Sequence, residues 1–277
     1  MRSTTIGQPD KSSGAWCRFS IRAMLAIMVA LCAWSSVVSH RAETQRRAVN
    51  TIKAAGGAIW YEYQTDVNGV AREAMEGNPP PGPAWVRNLI GLDCLASVRC
   101  ISVDVGSADP HLFNSIADLP QIRSLVCYGP GVTDSALATL STLREVRRLI
   151  LNDTAVTENG WRPLRQFVDL QVLSLEGNNV NDSALVSIEG LTSLKSLNLS
   201  QARVTDSGLE HIERLSGLED LYIRGHITDA GLRHLRGLNR LKMLDLSGTM
   251  VTPAGARALK QVLPNVTVYQ DLAEISR

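Results

Sequence analysis

The sequence predicts an α/β solenoid, a curved parallel sheet on a concave face with helices on a convex face, preceded by an N-terminal membrane-type helix and a small α/β cap. Three observations predict it. The C-terminal part repeats from Leu95, Leu119, Leu143, Phe167, Leu191, Leu215 and Leu238, a spacing of 24 residues five times and 23 once. In all seven units the first position and those 3, 6 and 8 residues later are apolar; 28 of 28 slots comply where the 44% apolar composition would fill about 12 by chance. Upstream, Ala23 to Val38 carries no charge and follows a basic N-terminus.

Composition sets the outer bounds. A chain of 277 residues, 44% apolar and 20% charged, is long enough to bury a sizeable core. Lys plus Arg, 28, nearly cancels Asp plus Glu, 27, so no overall field recruits nucleic acid. The five cysteines, at 17, 32, 94, 100 and 127, form no CxxC pair and no metal-ligand spacing with histidine, which argues against a zinc or disulfide scaffold. Cys127 falls on a repeat core position, where a thiol acts as a small hydrophobe, and pairing of Cys94 with Cys100 stays open.

Residues 1–22 form a basic tail, with Arg2, Lys11, Arg18 and Arg22 against Asp10, and residues 23–39 an anchor or signal segment. With Phe19 and Ile21 added beyond a snorkelling Arg22, the apolar run gives roughly 20 positions, which at about 1.5 Å each spans a hydrocarbon core of about 30 Å. Two readings stand. The segment is a single-pass anchor, favoured by the long n-region, or a cleaved signal peptide, for which Val37-Val38-Ser39 offers residues before a cut. Cys32 follows Leu31, which does not fit a lipobox. Arg41, Arg46 and Arg47 beyond the span leave positive-inside counting nearly balanced, with repeats outside slightly favoured.

Residues 40–94 read as a juxtamembrane α/β cap. From His40 to about Ala55 a helix places Ala48, Ile52 and Ala55 on one stripe and stops at Gly56-Gly57. Ile59, Tyr61 and Tyr63 then alternate with Trp60, Glu62 and Gln64, a half-buried strand. The proline run from Asn78 to Pro83 breaks the chain, and Ala84 to Gly91 makes a short amphipathic helix. The Trp-Tyr cluster has two uses, a peptide platform or a shield for the open edge of the first repeat; a solenoid's need to cover its terminal unit favours the shield.

Each unit of residues 95–262 reads as strand, turn, capped helix, turn. In centres such as Leu173-Ser174-Leu175 a period of 2 puts both leucines on one face, a strand. Pairs such as Leu209 and Ile212 sit three apart on a helix that starts at a repeated Thr-Asp, seen at Thr133-Asp134, Thr205-Asp206 and Thr228-Asp229, with Asn181-Asp182, Thr157-Glu158 and Thr252-Pro253 as variants. There a side-chain oxygen can cap free N–H groups and the Asp charge suits the helix dipole. Strands stack at about 4.8 Å and helices at about 10 Å, so the stack bends with its strands inside the curve. Residues 263–277 supply a closing strand, Leu263 to Tyr269, and a polar tail.

Val-Thr-Asp-Ser-Gly-Leu at 204–209, Ile-Thr-Asp-Ala-Gly-Leu at 227–232 and Leu-Asp-Leu-Ser-Gly-Thr at 244–249 resemble the leucine-rich-repeat superfamily, in the VTDxGL variety of bacterial membrane-anchored proteins and of F-box adaptors. The resemblance covers about 60% of the chain, residues 95–262. The RFSIR start and RRAVNTIKAAGGAIWYEYQ resemble the leader and cap of planctomycete-type repeat proteins more loosely. The asparagine of the usual turn ladder stands only at Asn178, with Thr154, Ala202 and Thr249 elsewhere, and no F-box precedes the repeats. The resemblance implies a binding protein with a protein or peptide partner and no cofactor.

Concave side chains fall 5, 7 and 9 places into each unit. Among them Tyr128, Arg148, Ile150 and Asn152 form an expected central cluster flanked by Glu176, and Asp220, Tyr222, Arg224 and Asp245 an expected C-terminal one; Tyr and Arg are the types enriched at binding hot spots. Any one of them can equally be solvated filler. The five histidines show no HExxH, no pairing with a GxSxG serine and no phosphate loop, so the reading is not an enzyme and not a metal protein. Asn152, Asn181, Asn198 and Asn265 start glycosylation sequons that matter only in a eukaryotic secretory host. The expected function is a membrane-tethered protein-binding scaffold; the alternative is an intracellular adaptor that uses its convex helices.

Overall fold

A computed structural model describes residues 21–65, 80–92, 95–177 and 179–270. The basic tail before residue 21, Cys17, the Asn78-Pro79 start of the proline run, Cys94, Asn178 and the polar end after residue 270 lie outside the described residues. The chain forms two compact units, residues 1–41 and 42–277. In the first, helix α1 (Ile21–Ala54) begins, and Met24, Leu25, Ile27, Met28, Val29, Leu31, Trp34 and Val37 are all exposed. The helix is long and apolar enough to cross a membrane, and its place near the N-terminus fits an anchor and a signal segment alike.

The second unit is built on a nine-stranded sheet in chain order. Its strands are β1 (Ala58–Tyr61), β2 (Val98–Asp104), β3 (Ser124–Tyr128), β4 (Arg148–Asn152), β5 (Val172–Ser174), β6 (Ser196–Leu199), β7 (Asp220–Ile223), β8 (Met243–Asp245) and β9 (Thr267–Tyr269). β1 pairs antiparallel with β2, and every later pair is parallel. Helix α2 (Ala84–Ile90) precedes the first repeat, and α3 (Pro110–Ala117), α4 (Asp134–Leu140), α5 (Asp182–Ile188) and α6 (Pro253–Val262) account for part of the opposite layer. Between them Glu158–Gln166, Gly208–Ile212 and Gly231–Leu235 are 3-10 segments, a tighter coil than the α-helix expected in those units.

Twenty-seven of the 28 periodic apolar positions are buried, and Leu95 at the start of the first unit is half-buried. Each such side chain contributes roughly 1.5–3 kcal/mol on leaving water. One cluster runs without a break from Ala48, Val49 and Ile52 on α1 through every repeat to Val266. The buried stripe of α1 in this unit is Ala42, Ala48, Val49 and Ile52; Ala55, expected on it, lies past the helix end and is exposed. β1 covers the first repeat, with Ile59 and Tyr61 packed against the core and Tyr63 stacked on Tyr61 at 6.0 Å.

The aspartate of the repeated Thr-Asp works between units. Asp134 accepts from the backbone N–H and hydroxyl of Thr157 in the next unit at 2.7 and 2.6 Å. Asp182 does the same to Thr205, Asp206 to Thr228 and Asp229 to Thr252, with N–H distances of 2.8 to 2.9 Å. The expectation that the residue before the Asp caps its own helix holds in part: Thr228 also accepts from the Ala230 N–H of its own unit at 3.2 Å. Thr133 and Thr157 make no side-chain cap, whereas Asp109, Asn181 and Thr252 do.

The glycine of the motif follows from this interlock. A Cβ on Gly160, Gly208, Gly231 or Gly255, three places after the receiving threonine, would collide with the carboxylate of Asp134, Asp182, Asp206 or Asp229. Where the preceding unit has Pro110 or Glu158 instead of Asp, the same place holds Ala136 or Ala184. At Gly255 the three atoms nearest an added Cβ all belong to Asp229.

Gly255→Ala is expected to lower stability by about 1–2 kcal/mol in urea unfolding, through displacement of Asp229 from Thr252. In an Asp229→Ala background the same change should cost close to nothing, because the carboxylate nearest the new methyl is gone. An equal cost in both backgrounds would contradict the interlock.

Candidate functional site

The ladder register fixes which concave side chains are neighbours. One row, at the strand starts, runs Cys100, Ser124, Arg148, Val172, Ser196, Asp220, Met243, Thr267. A second runs Ser102, Val126, Ile150, Ser174, Asn198, Tyr222, Asp245, Tyr269. The third starts Asp104, Tyr128, Asn152 and continues past the strand ends with Glu176, Ser200, Arg224 and Ser247. Strands about 4.8 Å apart crowd the shorter side chains. Cys100, Ser124, Ile150 and Ser174 are thereby buried, although these positions were expected to be exposed.

The expected central cluster resolves into two parts. Tyr128 and Asn152 are direct partners across β3 and β4, with Tyr128 39% exposed. Arg148 lies four residues from Asn152, roughly 13 Å along the strand, with the buried Ile150 between them. Glu176 joins the Tyr128 end. The Asn152 carbonyl oxygen accepts from the Ser174 hydroxyl at 3.0 Å and the Glu176 N–H at 3.2 Å, while its amide donates to the Glu176 carboxylate. From the next unit Gln201 donates to the other Glu176 oxygen at 2.8 Å. A cleft of about 170 Å³ opens beside this carboxylate, lined by Asp153, Thr154, Glu176, Gly177, Asn179 and Val180.

Gln201 was not singled out in the sequence, and its signal is positional. The tenth residue after each unit start, from the second unit to the seventh, turns through positive φ, and four of the six are Gly129, Gly177, Gly225 and Gly248. The other two are Asp153 at φ 55° and Gln201 at φ 59°, the only non-glycine residues of that conformation among the described residues. A side chain there costs about 1–2 kcal/mol. Both flank the unit that carries Glu176.

At the C-terminal end Tyr222 and Asp245 are register partners, with Asp220 at the start of the same strand as Tyr222. Burial first, then the Asp220 and Asp245 carboxylates and Tyr269, push the Tyr222 hydroxyl above the ordinary tyrosine range, so at neutral pH it is a proton donor; it donates to the Met243 sulfur at 3.1 Å. Arg224 is exposed at the opposite end of this face, and Tyr269, read only as part of the terminal strand, stands beside Asp245 and is 50% exposed. Continuing the repeat one more unit would have found it.

Elsewhere the side chains are committed to structure. His211 and His234 each sit 3.4 Å from a glutamate of the preceding unit, Glu189 and Glu213. Arg99 bridges Glu62 of the cap and Glu145 of the third unit. Burial pushes the Cys127 thiol up to about 12, where it carries no thiolate. Among the described residues no three His, Cys, Asp or Glu side chains gather as metal ligands.

Gln201→Gly should raise stability by about 0.5–1 kcal/mol in urea unfolding, since release of the left-handed backbone outweighs one exposed hydrogen bond. A destabilised variant would show that the turn is not strained.

Residues 190–212, spanning the fifth repeat's strand and most of its outer segment, match the family model described as Leucine Rich repeat. No curated protein matches the sequence. Among solved structures, the internalin inlF from Listeria monocytogenes is 20% identical with a TM-score of 0.42, over 60% of this chain and 52% of its own, so the chain spans about half of that internalin. Internalin C2 from the same organism is 19% identical with a TM-score of 0.45, over 65% of this chain and 82% of its own. With one unit matched and the other six repeating the same periodic positions, all buried but Leu95, around a common parallel sheet, residues 95–262 form a leucine-rich-repeat solenoid.

Proposed function

We propose that the protein is a membrane-tethered scaffold that binds a protein or peptide partner on the concave face of its sheet. In this reading residues 1–22 are a basic cytoplasmic tail, 23–39 the anchor, 40–94 the cap, 95–262 the binding solenoid and 263–277 its closing strand and tail. The observation that carries it is the pair of left-handed non-glycine residues, Asp153 and Gln201, on either side of Glu176. Four sister turns use glycine at this place, so the two side chains are kept against a conformational cost. Gln201 and Asn152 hold the Glu176 carboxylate from both sides. A carboxylate fixed before a partner arrives loses little freedom on binding, and the exposed Tyr128, on the far side of Asn152, supplies rigid contact area. The partner-contacting residues are Tyr128, Arg148, Asn152, Glu176, Asp220, Tyr222, Arg224 and Asp245, with Ile150 as the packed floor between Arg148 and Asn152.

The anchor rests on the exposed apolar side chains of α1 before residue 39, which water does not favour over such a length. With repeats outside the cell this is a surface scaffold, and with signal cleavage a secreted one. The adaptor alternative draws on Val186, exposed on the outer side of α5.

The full chain in detergent micelles, used as bait with identification by mass spectrometry, is expected to retain a partner that Tyr128→Ala/Glu176→Ala weakens by about tenfold or more while Val186→Glu leaves it unchanged. The reverse pattern would move the contact to the convex side. In intact cells the repeats should be cut by external protease; full protection would place them inside.

A further inference from the structure

The C-terminal end of the concave face differs from its centre. In the second row Tyr222, Asp245 and Tyr269 stand on successive strands, so that two tyrosines bracket a carboxylate. The two outer strands lie about 10 Å apart at the backbone, the width of one side chain between two rings. Asp220 and Met243 close the strand-start side. Tyr222 is half-buried and its hydroxyl donates only to a thioether, a weak acceptor.

The Asp220 and Asp245 carboxylates here have no ion-pair partner among the described residues; Asp245 accepts one hydrogen bond, from the Ser247 N–H at 2.9 Å. Lys242, close enough to feel Asp220, is held by Glu219. Arg224 is exposed and bonds to neither carboxylate. Unpaired carboxylates between aromatic faces complement one chemistry above others, a cation that offers both N–H donors and a flat or polarising charge.

Building on the concave-face reading, we infer that Tyr222, Asp245 and Tyr269, with Asp220, form a cradle for a positively charged side chain, arginine or lysine, of the protein partner. The guanidinium or ammonium group lies between the rings on the Asp245 carboxylate. Its aliphatic stem covers Met243. An acidic partner segment is repelled at this end, so the cradle sets the direction in which an extended segment crosses the sheet.

The test uses the full chain in detergent micelles with ring-¹³C tyrosine, whose five residues report separately on the cap, the centre and the cradle. Acetyl-arginine amide is titrated against acetyl-alanine amide. The expected result is a saturable shift of Tyr222 and Tyr269 by the arginine probe alone, with Tyr61, Tyr63 and Tyr128 unmoved. Asp245→Asn, which keeps the oxygen that Ser247 uses, should weaken the arginine probe by about threefold to tenfold. Equal shifts by both probes, no shift at Tyr222 and Tyr269, or an unchanged affinity in Asp245→Asn would each overturn the cradle. Partner capture that still depends on Tyr128 and Glu176 would then show that the cradle alone has failed; capture indifferent to those two residues would defeat the concave reading itself.

Discussion

A unit of one short strand and one turn of helix has an apolar stripe on its strand and another on its helix, and no third surface of its own to bury them. The stripe leaves water only when the next unit stacks on it, and that unit then needs one in turn. Everything else in this chain answers to that dependence. The leucines of the periodic positions are buried between units, the cap of α1 and β1 closes the open face of the first, and β9 closes the last. An apolar stack is tolerant of sliding, because leucine on leucine has little direction. Direction is supplied on the outer layer by Asp134, Asp182, Asp206 and Asp229, each of which holds the threonine of the following unit by two hydrogen bonds.

Most of the architecture was legible in the sequence because it rests on periodicity. A leucine every 24 residues with an LxL centre has one physical solution, and the seven strands stand where the pattern put them; the cap strand ends at Tyr61, with Glu62–Gln64 coiled as a 3-10 turn instead of continuing it, and the closing strand is confined to Thr267–Tyr269 of the expected 263–269. The outer layer was less legible. Thr-Asp before a helical pair fits an N-cap on local grounds, and the actual partner of each aspartate lies 22 or 23 residues away in sequence, a distance that local capping rules do not see. The glycine of VTDxGL made sense only with that partner in place.

The candidate site shows the same division. Alternation along a strand correctly named the face, and the register brought Tyr128 next to Asn152 and Tyr222 next to Asp245. Grouping by face overlooks the rise along a strand, which sets residues two and four places apart at roughly 7 and 13 Å. Arg148 and Arg224 therefore stand away from the clusters they were grouped with, and Ile150 is walled in by its neighbours. Gln201 escaped notice because nothing marks it except the glycine it replaces. That replacement is informative: a residue forced into a left-handed turn, with its amide on a neighbouring carboxylate, trades folding stability for the orientation of Glu176.

In the proposed function the concave face, with its fixed carboxylate, is the working surface, and the N-terminal helix holds that surface at a membrane. Site-specific photo-crosslinking tests this most directly. A benzophenone side chain is placed in the full chain at Tyr128 or Tyr222 on the concave face, and at Val186 or Arg162 on the outer layer, and adducts are read after irradiation in cells. The account predicts partner adducts from positions 128 and 222 and none from 186 or 162. Adducts confined to the outer positions would contradict it and would make the convex layer the binding surface.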